Sequence, residues 1–340
     1  MDEHTETEKL DFVAVGDIVT DAFIEMSDVR IDTEPDEGDL GHKEICFRLG
    51  DKIPFKDVVV IPAVGNSPNA AVSASRLGLK AGLVTDLGND RDGQDSLEQL
   101  KGESINLEHV RTHEDMKSNY HYILRYGAER TILVNHQEYE YSFPEITPAP
   151  KWIYLSSLAE NSLPYHEEIA EYLEAHNETK LAFQPGTFQM SLGYENLERL
   201  YRVAELFFCN KEEAQKILGV DSKEVTELLR MMRDKGPRKV VITDGPEGAY
   251  TFDGEEIWHM PMYPDPKKPV DRTGAGDSFS STFTSALALG KSLPEALSWG
   301  PINSMSVVQH IGAQQGLLNR EELEQHLENR PDAYQAEKLA

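Results

Sequence analysis

Cysteine is scarce in this chain: Cys46 and Cys209 are the whole complement of a 340-residue sequence. Two thiols cannot build a disulfide framework, so the small secreted scaffolds are set aside and both read as reduced cysteines of a cytoplasmic protein. Long apolar runs are missing too. No stretch approaches a membrane span, and the acidic opening Met1–Glu8 lacks the pattern of a signal peptide. Positive charge is in deficit, with 33 Lys and Arg against 60 Asp and Glu and a net charge of −27. That balance excludes the basic footprint that nucleic-acid binding requires. The acids are spread along the chain and read as a solvated surface. The 11 His are scattered without ligand spacing, so no transition-metal site is expected. No internal repeat and no low-complexity segment stands out.

What is present is a chain with 39% hydrophobic residues, enough for one large α/β domain with an appendage or for two domains. Short apolar runs at 12–16, 81–85, 152–156, 180–184, 206–209 and 240–243 read as buried strands. Amphipathic stretches at 69–77, 93–100, 164–176, 192–203, 211–218 and 223–235 read as helices. Strand and helix alternate, which predicts a mainly parallel sheet covered by helices on both faces. Two stretches break the pattern. Residues 22–61 carry Ile45–Leu49 and Val58–Ile61 with little helical signal, and residues 119–135 read as a hairpin turning at Gly127-Ala128. The expected division is an α/β core of 1–21, 62–118 and 136–330, strand-like insertions at 22–61 and 119–135, and a polar, frayed C-terminal tail at 331–340.

The most informative stretch is Asp271-Arg272-Thr273-Gly274-Ala275-Gly276-Asp277. Phe279, Phe283, Ala286 and Leu287 follow on one helical face, so Gly274, Ala275 and Gly276 fall at a helix N-terminus. Unpaired amides and the positive dipole end there attract an anion, and small residues let a phosphate approach. Asp277, in the first turn, sets a carboxylate beside it. An anion hole with an adjacent base suits phosphoryl transfer to a hydroxyl. The plainer alternative is an ordinary helix start. A dinucleotide fingerprint is excluded because Phe279 stands at its third glycine, and Gly290-Lys291-Ser292 closes a helix where a P-loop would open one.

Asp271–Asp277 resembles the D-T-x-G-A-G-D signature of ribokinase-like sugar kinases of the phosphofructokinase-B type, in its longer D-x-T-G-A-G-D form. The resemblance runs from Phe12 to about Leu327. It implies a β-lid made of 22–61 and 119–135 over the acceptor site, a homodimer through that lid, ATP and Mg²⁺. By resemblance Asp277 is the catalytic base and Gly274–Gly276 form the anion hole. Asn210 and Glu213 match an N-x-x-E motif that organises Mg²⁺ and phosphates through water, although the same pair also fits a helix capping box. Thr243, Gly245 and Gly248 are nucleotide-binding candidates, or a plain turn. Asp17 and Asp21 are acids that can grip sugar hydroxyls. Gly65 would admit a sugar close to the backbone. Asn69 would bond its hydroxyls or cap the following helix. The loop around His310 and Gly312, with Asp271 and Thr273, resembles a site that binds K⁺ in some members; Asp271 could equally brace the anion hole.

Several residues depart from the family pattern. Val64 replaces the first glycine of the usual pair, Ser67-Pro68 replaces Gly-Ala, Val19 replaces a sugar-binding Asn, and Pro301 replaces an Asn near adenine. These leave the acceptor open. The reading is therefore an ATP-dependent kinase acting on a hydroxyl of a sugar or sugar-like molecule. Alternatives are a nucleoside kinase, supported by Tyr120, Tyr122 and Tyr126 as stacking candidates in the lid, or a catalytically silent sensor on the same fold.

Overall fold

The structure is a computed structural model that describes residues 8–27, 29–33, 43–126 and 129–339. Phe12–Val15 forms a fully buried strand in the interior of a ten-stranded sheet, third from one edge. It pairs in parallel with Ala81–Gly88 on one side and Trp152–Leu155 on the other. Ala81–Gly88 pairs in turn with Val110–His113, and Trp152–Leu155 leads through Lys180–Phe183 and Ala204–Asn210 to Lys239–Thr243, all parallel. Ala249–Phe252, Ile257–Met260 and Glu337–Lys338 complete the sheet antiparallel. The chain leaves Phe12–Val15 in one direction first and the other afterwards. That switch point opens a crevice at the C-terminal strand ends, where ligands of such sheets bind.

Alternation along Phe12–Val15 supplies both cores. Phe12 and Ala14 pack with Ala70, Ala74 and Phe283, from the helices Asn66–Arg76 and Ala275–Ala288. Val13 and Val15 face the other way, onto Tyr165, Ile169 and Leu197 of Leu163–Ala175 and Tyr194–Val203. Helices thus cover both faces, as the alternating pattern predicts.

A second, four-stranded sheet consists of Phe55–Val64, Val19–Met26, Asn119–Tyr126 and Glu129–Asn135 in that spatial order. It shares no strand with the main sheet. Its first strand begins at Val19, and its second runs to Val64, so both reach beyond the expected insertion. Lys43–Cys46 pairs with Arg30–Thr33 as a separate ribbon. The expected turn at Gly127-Ala128 lies outside the described residues.

Three expectations are corrected. The helix expected from Asn69 starts at Asn66, because Gly65, at φ 116°, turns the chain into it. The helix expected over 192–203 is broken at Gly193, φ 80°, into Thr187–Leu192 and Tyr194–Val203. The C-terminal tail is docked, with Glu337–Lys338 paired to the sheet edge. Tyr334 is buried against Tyr263, and its hydroxyl donates to Ser298 O at 2.5 Å. An aromatic residue with a satisfied hydroxyl anchors what composition alone reads as frayed.

Candidate active site

The Ala275–Ala288 helix opens at Gly274, whose φ of 80° is left-handed. A Cβ there would lie 2.3 Å from the Cβ of Ala313, so glycine is required twice over, by backbone angle and by space. Ser278 is the first residue to reach back to Gly274 O, at 2.9 Å. The amides of Ala275, Gly276 and Asp277 precede that bond and have no partner further along the helix; only Ala275 N–H makes a long contact, 3.4 Å to Arg272 O. The loop before them is braced by Asp271. Its Oδ1 accepts from the Thr273 N–H at 3.0 Å and hydroxyl at 2.8 Å, and its Oδ2 accepts from Gly312 N–H at 3.0 Å. Arg130 from the second sheet brings a guanidinium nitrogen within 3.9 Å of the same carboxylate.

Asp277 is held by three side-chain amides. Asn66 Nδ2 donates to Oδ1 at 2.7 Å, Gln184 Nε2 to Oδ1 at 3.2 Å, and Asn69 Nδ2 to Oδ2 at 2.9 Å. Burial raises the Asp277 carboxyl above the ordinary range, and the Asn69, Asn66 and Gln184 amides act against that rise by favouring the anion. Asn69 is itself oriented, since its Oδ1 accepts from Gln314 Nε2 at 3.0 Å. It lies inside the helix, which excludes the capping role. Gln184 is fixed by Ser280, whose hydroxyl donates to Oε1 at 2.5 Å, and by the Tyr154 hydroxyl. The sequence reading missed Asn66 and Gln184. Gln184 follows the strand Lys180–Phe183 at its C-terminal end, a position that by itself marks a site candidate.

Asn210 caps Lys211–Leu218 in a reciprocal pair. Its Oδ1 accepts from Glu213 N–H and its own N–H donates to Glu213 Oε2, both at 2.8 Å. Burial raises the Glu213 carboxyl, and the negative charges of Glu212 and Asp277 add to the rise, so Glu213 senses the Asp277 end of the crevice. Among the described residues its other oxygen accepts no hydrogen bond. Lys211, next in the motif, donates to Asp244 Oδ2 at 2.8 Å and so ties this helix start to the following turn.

That turn follows Lys239–Thr243. Gly245 and Gly248 have φ of 50° and 91°, and a Cβ on Gly248 would lie 2.1 Å from Met260 O. Thr243, Gly245 and Gly248 line a cleft of about 240 Å³ together with Arg272, Ala275 and Gly276. Met262, Pro301, Met305 and Val308 give it an apolar wall. The cleft therefore joins an apolar slot directly to the free amides of the helix start.

Asp17 follows the strand Phe12–Val15, and Asp21 lies within Val19–Met26. Both are buried. Asp17 Oδ1 accepts from the Tyr141 hydroxyl at 2.8 Å. Asp21 sits on the inner face of the second sheet, in register with Ile61 and His121. His121 Nδ1 is 3.3 Å from Asp21 Oδ1, and His136 Nδ1 is 3.4 Å from Asp17 Oδ2. Neither histidine was foreseen. Two further expectations are corrected here. The missing Cβ of Gly65 faces Asp17 O at 2.7 Å, so the close approach it permits is to the turn after the first strand, and space for a sugar is not what it provides. Tyr120, Tyr122 and Tyr126 alternate with His121 and share a face with Val58, Val60 and Leu133, the outer face of the sheet. They cannot stack on an acceptor beside Asp21.

For K⁺, His310 and Gly312 do fall beside Asp271, but both Asp271 oxygens already accept from N–H or O–H donors and Arg130 brings a positive charge close. The arrangement fits bracing and offers no orphaned carboxylate oxygen to a cation. Among the described residues no helix is long and apolar enough to cross a membrane.

Residues 56–320 match the pfkB family carbohydrate kinase model. Ribokinase of Bacillus subtilis (strain 168) is 27% identical over 77% of this chain and 87% of its own length. A nucleoside kinase of Methanothermobacter thermautotrophicus is 26% identical over 74% of this chain and 79% of its length. The structure of Arabidopsis thaliana ribokinase complexed with ribose and ATP superposes with a TM-score of 0.77 at 20% identity, over 94% of this chain and 99% of that one. The match to the family model spans well over half of the sequence and the crevice is that of the ribokinase fold, so the chain belongs to the PfkB carbohydrate kinases, ATP-using phosphotransferases with an alcohol group as acceptor.

Proposed function

We propose that this kinase transfers the terminal phosphoryl group of ATP to a hydroxyl of a sugar or sugar-like molecule, with Asp277 as base and the amides at Gly274–Gly276 as anion hole. The observation that carries the reading is the position of the Asp277 carboxylate. It follows directly on Ala275 and Gly276, which line the cleft, in the first turn of the helix, and is oriented by Asn66, Asn69 and Gln184. ATP would enter with its base against Pro301, Met305 and Val308, its phosphates on the Gly245–Gly248 turn and the helix start. The acceptor would sit between Asp21, Asp17 and Asp277, its hydroxyl donating to Asp277.

Because the transition state of phosphoryl transfer is loose, the base has only to orient the hydroxyl and take its proton late. The amide clamp favours the ionised carboxylate against the rise that burial causes, and free amides at the helix start would meet the charge spread over the transferred oxygens. The oxygen of Glu213 not used in capping suits Mg²⁺ held through water, which when bound would neutralise the phosphate charge. No step is assigned to K⁺.

The second sheet, with Asp21 on its inner face, is the lid of this reading. Closed over the acceptor, it excludes water and restrains hydrolysis of ATP in the acceptor's absence. Its outer face exposes Val58, Val60, Tyr122, Tyr126 and Leu133 on three of its four strands. A contiguous apolar sheet face of this kind is covered in stable proteins, and a second copy of the chain is the self-complementary partner. A sedimentation run at micromolar concentration should show a dimer, and Val60→Lys with Leu133→Lys should convert it to a monomer. A wild-type monomer removes this part of the proposal.

A sugar is favoured over a nucleoside because the lid tyrosines point outward. The deciding experiment is ADP release in the presence of sugars, sugar phosphates and nucleosides, for wild type and Asp277→Asn. Acceptor-dependent release with a sugar, absent in the variant, is expected. Release with no acceptor at all, or only with nucleosides, overturns the assignment.

A further inference from the structure

The segment Pro264-Asp265-Pro266-Lys267-Lys268-Pro269-Val270 borders the nucleotide cleft and leads into Asp271. It is built to be stiff. Pro264, Pro266 and Pro269 fix φ at three places and restrict the residues before them, Asp265 among these. Tertiary bonds tie down the flanks. The Tyr263 ring is buried edge-on to Tyr334, and its hydroxyl donates to His326 O at 3.1 Å. Gln309 Nε2 donates to Lys267 O at 3.3 Å, and Val270 N–H donates to Val308 O at 2.8 Å. The segment is therefore pinned to the same end of the Leu293–Val307 helix that supplies the apolar wall of the cleft. A chain so constrained holds its side chains in place before a ligand arrives.

Asp265 lines the cleft with Met262, Pro301, Met305 and Val308. It is half-buried, and among the described residues its carboxylate makes no hydrogen bond and no ion pair. Burial raises the carboxyl above the ordinary range, against the charge of Arg272. The other polar side chains of the cleft are engaged or of another kind. Ser304 donates its hydroxyl to Ala275 O at 2.7 Å and accepts from Ser278 at 3.3 Å. Arg272 carries donors only. Thr243 ends the strand that leads into the glycine turn, the phosphate side of the proposed pose. Asp265 is thus an unengaged acceptor fixed beside an apolar slot. Facing phosphates it would meet like charge, so its partner is a donor elsewhere on the nucleotide.

We propose that Asp265 selects the nucleotide by its base, accepting a hydrogen bond from the exocyclic amine at position 6 of adenine. The proposal rests on the reading that ATP lies with its base against Pro301, Met305 and Val308. An ionised carboxylate can only accept. Adenine carries an NH₂ donor at position 6, whereas an oxopurine carries an oxygen there, which would face the carboxylate lone pair to lone pair. One residue therefore attracts the first kind of base and repels the second. Proline at 301 has no side-chain group to read a base, and the segment ahead of Asp271 supplies the reader in its place.

The test measures binding of ATP, purine riboside triphosphate, inosine triphosphate and 2′-deoxy-ATP to the whole protein, by calorimetry with Mg²⁺ and without acceptor. Wild type should bind ATP about tenfold more tightly than purine riboside triphosphate, which lacks the amine, the size of one hydrogen bond to a charged group at a half-open site. Inosine triphosphate, with oxygen at position 6, should bind more weakly still. Asp265→Ala should remove these differences. Loss of a negative charge strengthens every triphosphate alike, so the ratios between nucleotides are the readout. Asp265→Asn should recover inosine triphosphate in particular, because its NH₂ can donate to the base oxygen. A wild type that binds the three bases alike, or preferences that persist in Asp265→Ala, overturns the proposal. So does a variant whose lost preference is that for ATP over 2′-deoxy-ATP, since the donor would then be a ribose hydroxyl. Failure of ATP to bind removes the nucleotide pose and the proposal with it. If ATP binds with the expected preferences and no acceptor is phosphorylated, the functional reading fails and the role of Asp265 stands.

Discussion

Asp277→Asn separates chemistry from stability, and the structure sets both magnitudes. The carboxylate accepts on Oδ1 from Asn66 and Gln184 and on Oδ2 from Asn69. An asparagine has one acceptor oxygen and one NH₂ group. Turning the oxygen toward Asn66 and Gln184 keeps two bonds and sets NH₂ against the NH₂ of Asn69. Asn69 cannot relieve this by flipping, because its Oδ1 already accepts from Gln314, whose amide also donates to Ala63 O at 2.7 Å. One buried donor is thus left facing a donor, at about 1–3 kcal/mol, partly offset by removal of a charge that burial disfavours. The fold should survive with a small change in Tm. Loss of a positioned base lowers turnover by roughly 10²–10⁴, or about 2.7–5.4 kcal/mol in the barrier. Coupled ADP-release kinetics at saturating acceptor measure the loss, and nucleotide titration should show ATP binding retained. Turnover above about a tenth of wild type removes Asp277 from the role of base.

Because burial raises the Asp277 carboxyl and the base must be ionised, kcat/KM should fall on the acid side at a higher pH than an ordinary carboxylate gives; Asn66→Leu, which removes a donor to the anion, should move that limb higher still, and an unmoved limb would contradict the clamp. Glu213→Gln can keep the capping bond to Asn210 N–H, so the helix should hold while the Mg²⁺ concentration for half-maximal rate rises; an unchanged Mg²⁺ dependence would leave capping as the sole role of Glu213. Rates in K⁺, Na⁺ and choline buffers should agree, because each Asp271 oxygen already accepts from a donor and Arg130 brings a positive charge close, and clear activation by K⁺ would show that a cation binds beside this carboxylate all the same.

The parallel sheet was legible because buried strands such as Phe12–Val15 and Lys239–Thr243 are continuous apolar runs between amphipathic helices. The helix start at Gly274 and the Asn210/Glu213 cap were legible because both are local, built from residues within one turn. What escaped depends on distant partners. Asn66 and Asn69 meet Asp277 across separations of 211 and 208 residues, and nothing near either asparagine announces it. Gly65 showed as a glycine that something approaches, but only the fold identifies Asp17 O as that neighbour. The lid strand at 119–126 was found while its facing was not. Alternation divides its residues into two sets, and one residue of register decides whether tyrosines or His121 share a face with Asp21. Tyr334 was passed over because a lone aromatic in a polar tail has no periodicity to report.

Asp17 and Asp21 stand four positions apart in sequence, yet they belong to different bodies. Asp17 follows the strand Phe12–Val15 of the main sheet, whereas Asp21 lies within the outer one. Any tilt of the outer sheet about the short link between them alters the spacing of the two carboxylates before it alters anything at the nucleotide. If these two acids grip the acceptor as proposed, its pocket is a gauge of sheet orientation. By reciprocity, an acceptor that fits one spacing selects one tilt with the same free energy that the tilt contributes to its binding. A fluorophore fixed on the outer sheet, far from either substrate, would then rank acceptors by fit without any phosphate being transferred.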